Sequence, residues 1–238
     1  FENGYKSLGS KDDISKIFGY PMLQYESWND FKVLLGKLFV RSEIDETVKI
    51  GSLEIPQKVI KWQKRDGIDL DCIVLDTMTE LVKKYQRQLA GPKKKLQLQQ
   101  WGEMKTELDT FMALVNSIPV SVICNVHGKL KDDSENNVLK VMPNIEGSTK
   151  EDLGKWFDFV LYTKVIKNAK GERSYVWVTA RDEKYCHAKD ISQELPDEMP
   201  QDYSKIMTII NDRGWEGAKI LIIGDPGSGK TLSLKTLK

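Results

Sequence analysis

Near the carboxyl end of the 238-residue chain stands GDPGSGKT, Gly224 to Thr231, a complete match to GxxxxGK[ST]. No other feature restricts the fold so strongly. The run before it, KILIIG, is apolar enough to be a strand buried on both faces, and SGKTLSLKTLK after it reads as a helix. A chain that turns from strand to helix through closely spaced glycines can aim successive backbone N–H groups, and the positive end of the helix, at one polyphosphate. In that reading Lys230 bridges the terminal phosphates and Thr231 places its hydroxyl on Mg²⁺. Gly224, Asp225, Pro226, Gly227, Ser228, Gly229 and Leu232 complete the binding segment. The plain alternative is a glycine-rich turn with a surface lysine.

Phosphate and metal together call for a carboxylate, because Mg²⁺ takes oxygen ligands. DCIVLD, Asp71 to Asp76, is a short apolar run that ends in one, and Asp76 is the natural second metal-side residue. Its other use is to cap the helix that follows. Thr77 reads as a residue that positions a water or bonds to Asp76. IPVSVICNV, Ile118 to Val126, supplies a further buried strand and delivers His127 toward the terminal phosphate. A satisfied strand-end histidine is the alternative there.

Between these strands, TMTELVKKYQRQL reads as a helix ended by Gly91 and Pro92. QQWGEMKTELDTFMALVNSI reads as a longer one with Trp101, Met104, Leu108, Phe111 and Val115 on one face. Strand, helix and strand in this rhythm predict an α/β fold with a mostly parallel sheet and helices on both faces. GKLKDDSENNVLKVMPNIEG reads as a long polar loop, and STKEDLGKW as a helix of about two turns capped by Ser148. FDFVLYTKV is a strand, and NAKGERSYVWVTA makes a hairpin turning near Gly171, which adds antiparallel edge strands. Trp156 and Trp177 read as packing residues. Upstream, YESWNDFKVLLGKLF is a surface helix, RSEIDETVKIGSLEIPQ a polar connector and KVIKWQK a further helix. With no internal repeat and no second separable core, residues 1–238 are expected to form one domain.

Composition adds exclusions. A net charge of +1 from 36 basic and 35 acidic residues argues against general affinity for polyanions. The segment from Lys83 to Lys95 is different, with six basic residues and no acidic one. Its Gly/Pro-broken end, carrying Lys93, Lys94 and Lys95, suits a path that follows phosphates without reading bases. Cys72, Cys124 and Cys186 form no paired framework, and Cys186 beside His187 establishes no metal site. No apolar run approaches the roughly 20 residues that span a bilayer, and FENGYKSLGSKDD is no signal peptide. The expectation is a soluble, cytoplasmic protein without a membrane partner.

Taken together, GDPGSGKT, FENG, CIVLDTMTEL, ICNVHG, PNIEGSTKEDLGKWFDFVLYTKV and VWVTARDEKYCHAKD resemble the RecA-like P-loop ATPase core, most closely the phage-type AAA domain proteins associated with single-strand annealing recombination. The resemblance implies a RecA-like P-loop NTPase fold, Mg²⁺-dependent ATP hydrolysis with ATP and Mg²⁺ as cofactors, and single-stranded DNA as partner. It also implies assembly into a homo-oligomeric ring or filament, a single-strand-binding protein as a further partner, and the bacterial host cytoplasm as location if the protein is phage-encoded. By resemblance Glu2 matches the water-activating glutamate, Asp76 the Mg²⁺-side aspartate and His127 the polar sensor. Two DNA-binding loops map onto Ala90 to Gln100, with Lys93, Lys94 and Lys95, and Gly128 to Gly147, with Lys129, Lys131 and Lys140. Arg181, Lys184 and Lys189 match a basic residue that reaches a neighbour's nucleotide, Lys189 best. Other readings of the same residues are a nucleotide-dependent assembly or DNA-binding module with little catalysis, and a helicase-like motor.

One departure from the family is order. The phosphate loop follows Asp76 instead of preceding it, and only seven residues follow Thr231, roughly 10 Å of helix. The natural order would begin near residue 207, with 191–206 as a tail or linker. A permuted chain, natural or engineered, or a sequence with residues omitted, keeps one composite site. A boundary between two ATPase units would put Asp76 and Lys230 in different domains.

Overall fold

The structure, a computed structural model, describes residues 23, 27–93, 95–134, 136–167 and 169–237. Its elements in chain order are α1 (Trp28–Leu38), β1 (Phe39–Ile50), β2 (Leu53–Lys64), β3 (Cys72–Asp76), α2 (Met78–Ala90), α3 (Leu98–Ser117), β4 (Ser121–Asp133), β5 (Val138–Pro143), α4 (Thr149–Asp152), β6 (Phe159–Lys167), β7 (Arg173–Val178), β8 (Lys189–Asp190), β9 (Glu198–Pro200), α5 (Ser204–Asp212), β10 (Lys219–Gly224) and α6 (Lys230–Ser233).

The main sheet runs β3-β4-β10-β6-β7-β9. Its β3, β4, β10 and β6 are parallel, and β7, β8 and β9 add on antiparallel. The late strand β10 therefore lies between β4 and β6, and every one of its residues is buried. Alternation along β4 splits the interior into two cores. Val122, Cys124 and Val126 meet Leu81, Val82, Leu108, Phe111 and Val115 from α2 and α3, with Trp28, Phe31 and Leu35 of α1 closing that layer. Ile123 faces the other way, toward Ile206, Ile209 and Ile210 of α5 and Leu234. The α/β architecture with a mixed sheet is the one the strand-helix rhythm predicts. Residues 191–206 carry β9, and Met199 and Tyr203 are buried in the second core.

α1 begins with a reciprocal cap, in which the Ser27 hydroxyl accepts from the Asp30 N–H and the Asp30 carboxylate from the Ser27 N–H. Gly91 ends α2 with φ +53°, as its position after the last apolar residue suggests.

Four expectations fail, the first being the polar connector RSEIDETVKIGSLEIPQ, which forms most of β1 and the start of β2. KVIKWQK is no helix but the end of β2, paired with β1 from Phe39↔Lys64 to Ile50↔Leu53 in a long two-stranded arm. Val59 and Trp62, three residues apart, imitate a helical stripe, yet they lie on opposite faces of the ribbon. The stretch 128–147 is not a loop either, because β4 runs on to Asp133 and pairs with β5 from Gly128↔Pro143 to Asp133↔Val138. Ser148 makes no side-chain cap, and the helix after it is one α turn continued by a 3₁₀ turn, Leu153–Trp156.

Candidate phosphate site

Parallel pairing sets the site. β3 pairs with β4 so that Asp76 stands beside Asn125, and β4 pairs with β10 so that His127 stands beside Gly224. The carboxyl ends of three adjacent strands thus deliver an acid, an imidazole and the glycine-rich turn to one edge, where ligands bind in open α/β sheets.

The Thr231 hydroxyl donates to Asp76 Oδ2 at 2.7 Å, across 155 residues of sequence. Asp76 is buried, and its alternative role as a helix cap is taken by Thr77, whose hydroxyl accepts from the Glu80 N–H. The Asp76–Thr77 peptide is cis. The Lys230 ammonium, also buried, donates to the Gly224 and Asp225 carbonyls at 2.7 and 2.8 Å. Gly227 and Gly229 take φ of +77° and +90°, a left-handed backbone that strains any residue with a Cβ. Leu232 is exposed. The helix expected from SGKTLSLKTLK is shorter than predicted, one α turn and a 3₁₀ turn, Leu234–Thr236. Loop amides, more than a long helix dipole, therefore present positive charge to an anion.

Neighbouring strands hold the loop in place. Thr163 of β6 donates to Ser228 Oγ at 2.6 Å, Ser228 donates on to the Asp225 carbonyl at 2.7 Å, and Gln201 Nε2 donates to the Ser228 carbonyl at 3.1 Å. A Cβ on Gly224 would overlap the Thr163 hydroxyl, and one on Gly229 would press on Gln201 and Tyr175. Thr163, Gln201 and Asn125 escaped the sequence reading. Thr163 and Gln201 reach the loop only through sheet register, whereas a lone amide inside SVICNV was a visible signal.

His127 is half-buried, and its backbone N–H donates to the Thr79 hydroxyl at 2.9 Å. Burial first, then the Lys230 and Lys83 ammonium groups, lower its pKa from 6.5, which favours the neutral ring. Glu2 lies outside the described residues, as do Phe1, Lys94 and Lys238. Lys93 sits in a 3₁₀ turn after α2 and Lys95 is exposed just beyond it. Lys129 is exposed on β4, Lys131 pairs with Glu151 at 3.0 Å, and Lys140 pairs with Asp133. Lys189 donates to the Phe157 carbonyl at 2.6 Å in its own chain, while Arg181 and Lys184 are exposed. A cleft of about 510 Å³, lined among others by Lys131, Lys140, Glu151, Arg181 and His187, lies along the β4–β5 hairpin, away from the loop. Its Lys131 and Lys140 are paired with Glu151 and Asp133. Among the described residues there is no cluster of three or more His, Cys, Asp or Glu side chains fit to hold a metal, and no helix long and apolar enough to cross a membrane.

A glycine-lysine loop on a central strand of an α/β sheet, joined by its threonine to a strand-end aspartate, defines a P-loop-type nucleotide-binding fold. Residues 1–190 match the family described as AAA domain, and the chain belongs to that family, whose members are in general nucleotide-binding ATPases. The match includes Asp76 and His127 and ends before the loop at 224–231, which the fold brings to Asp76. Comparison with curated proteins and with solved structures finds no match.

Proposed function

We propose that the chain binds ATP with Mg²⁺ at this one composite site and hydrolyses it, coupled to single-stranded DNA in phage-type recombination or annealing. The observation that carries the nucleotide part is the Thr231–Asp76 hydrogen bond of 2.7 Å, which unites the two halves of the motif set. It supports the reading of the motif order as a permutation that keeps a single site.

Hydroxyl and carboxylate oxygens are the donors a hard cation prefers, and the left-handed glycines leave the loop open to phosphate, so the residues present fit a magnesium–nucleotide complex. Thr231 and Asp76 would hold Mg²⁺, which supplies neutralising charge at the phosphates when bound. Lys230 exchanges its two carbonyl partners for phosphate oxygens, and the amides of the loop hold those oxygens in line. Thr163, Gln201 and Tyr175 keep the loop against the sheet during that exchange. His127, neutral at pH 7, offers a hydrogen bond to the terminal phosphate without adding charge. Glu2 takes the proton of the attacking water in this account.

Exposed Lys95 and Arg87 in the last turn of α2 support a path for a phosphate backbone. Phosphate release, measured with and without single-stranded DNA at low salt, tests the reading. The expected result is DNA-stimulated turnover that falls by roughly 10²–10³ in Lys230→Ala. Unchanged turnover in that variant overturns the phosphate role. Turnover indifferent to DNA, with no DNA binding, overturns the recombination role.

A further inference from the structure

Asn125 is fully buried, and neither its side-chain oxygen nor its nitrogen has a hydrogen-bond partner. Other buried polar groups nearby are paired. Ser121 accepts from the Ala218 N–H, Thr79 from the His127 N–H, and Asp76 from the Thr231 hydroxyl. The orphaned polar atoms of Trp156, Tyr162 and Trp177 belong to large rings whose apolar bodies account for burial. Asn125 has no such body. Among the described residues it is the one buried amide with both its donor and its acceptor unmet, a cost to folding that a leucine of similar volume would avoid.

Its place explains why an amide stands there. Asn125 is the register partner of Asp76 on one side and of Ile222 on the other. Register partners of a sheet share a face, so the amide and the carboxylate stand side by side, with His127 two residues further on the same face. In this structure the Thr231 hydroxyl is the donor to Asp76 Oδ2. A cation held by Thr231 and Asp76 would take lone pairs and leave the Thr231 O–H on the carboxylate, so one donor alone would set the carboxylate plane, and a second would fix it. The amide beside it has an N–H to give.

We propose, resting on the nucleotide reading above, that Asn125 is a positioning residue: without a partner inside the fold, it donates to Asp76 in the magnesium–nucleotide complex and fixes the carboxylate toward the metal. Partners that orient metal-side carboxylates typically cost 10–100-fold in metal affinity when removed. The orphaned amide is thus a stability cost held for binding, and the two effects of its removal have opposite signs.

The experiment measures thermal midpoint without ligand, and ATP affinity with EDTA and with Mg²⁺, for the full chain, Asn125→Leu and Asn125→Ala. The expected result for Asn125→Leu is a higher midpoint, metal-free ATP affinity within about twofold of the original, and a loss of at least ~10-fold in the gain that Mg²⁺ brings. If Asn125→Leu fails to fold, Asn125→Ala is read by the same loss of metal-dependent gain. A metal gain unchanged in the folded variants overturns the role of Asn125 while leaving the nucleotide site intact. Failure of the unsubstituted chain to bind ATP in either condition overturns both.

Discussion

β10 has a buried lysine at each end, and the two spend their charge differently. Lys219, at the start of the strand, donates to the Ile118 and Val120 carbonyls at 3.1 and 2.7 Å. Lys230, past its end, donates to Gly224 and Asp225 at 2.7 and 2.8 Å. Exposure is nearly the same, 4% and 6%. The difference lies in the acceptors. Those of Lys219 belong to the turn before β4, wedged against Gly217 so closely that a Cβ there would overlap Val120. Those of Lys230 belong to its own loop, hinged on left-handed glycines and facing a carboxylate-bound threonine. One ammonium is locked into the fold, and the other is held by the loop to which the proposed function assigns phosphate.

The contrast breaks most sharply on removing each lysine. Lys230→Ala should lose roughly 10²–10³ in turnover with little change in folding. Lys219→Ala should leave the buried Val120 carbonyl without its donor, while the Ile118 carbonyl keeps the Val120 N–H, and lower stability by about 1–3 kcal/mol, with ATP affinity of the folded fraction unchanged. Denaturant unfolding and calorimetric binding on both variants check the pair. Equal effects on binding would remove the distinction.

Gly224→Ala sharpens it next. The added methyl meets the Thr163 hydroxyl, which braces Ser228, so the loop shifts. Overpacking of this kind costs about 1–3 kcal/mol, and here it should appear mainly as weaker ATP binding.

The smallest effect is the pH response. His127 and His187 both have pKa lowered from 6.5, burial being the first cause in each. The folded state therefore takes up a proton less readily than the unfolded chain. Stability present above about pH 6.5 is lost as pH falls through that value toward the folded pKa. His127→Gln should flatten the decline between pH 7 and pH 5 in part, His187 keeping the remainder, as thermal midpoints across that range would show.

How much of this was legible before the fold was known follows physical lines. GDPGSGKT and the carboxylate that ends DCIVLD could be singled out from the sequence, and the fold then brings Thr231 to Asp76. Helices α2 and α3 declared themselves through apolar spacing and a Gly-Pro stop. The β1–β2 arm did not, because a ribbon whose Ile50, Leu53, Ile55 and Ile60 stay exposed shows no one buried face and depends on cross-strand pairing, and Val59 and Trp62 happened to fall at helical spacing. The outer half of the β4–β5 hairpin was equally silent, its strands carrying lysines and aspartates typical of a loop. Thr163 and Gln201 became visible only when register brought them to Ser228.

The claim on which the rest depends is that Asp76 and Thr231 serve one metal-bound nucleotide. A double-mutant cycle of Asp76→Ala and Thr231→Ala, read as ATP affinity in Mg²⁺, tests it directly. The account predicts that each single change removes most of the metal-dependent affinity and that the double adds little, a coupling of about 1 kcal/mol or more. Strictly additive losses, or a single variant that binds as well as the original, would contradict it.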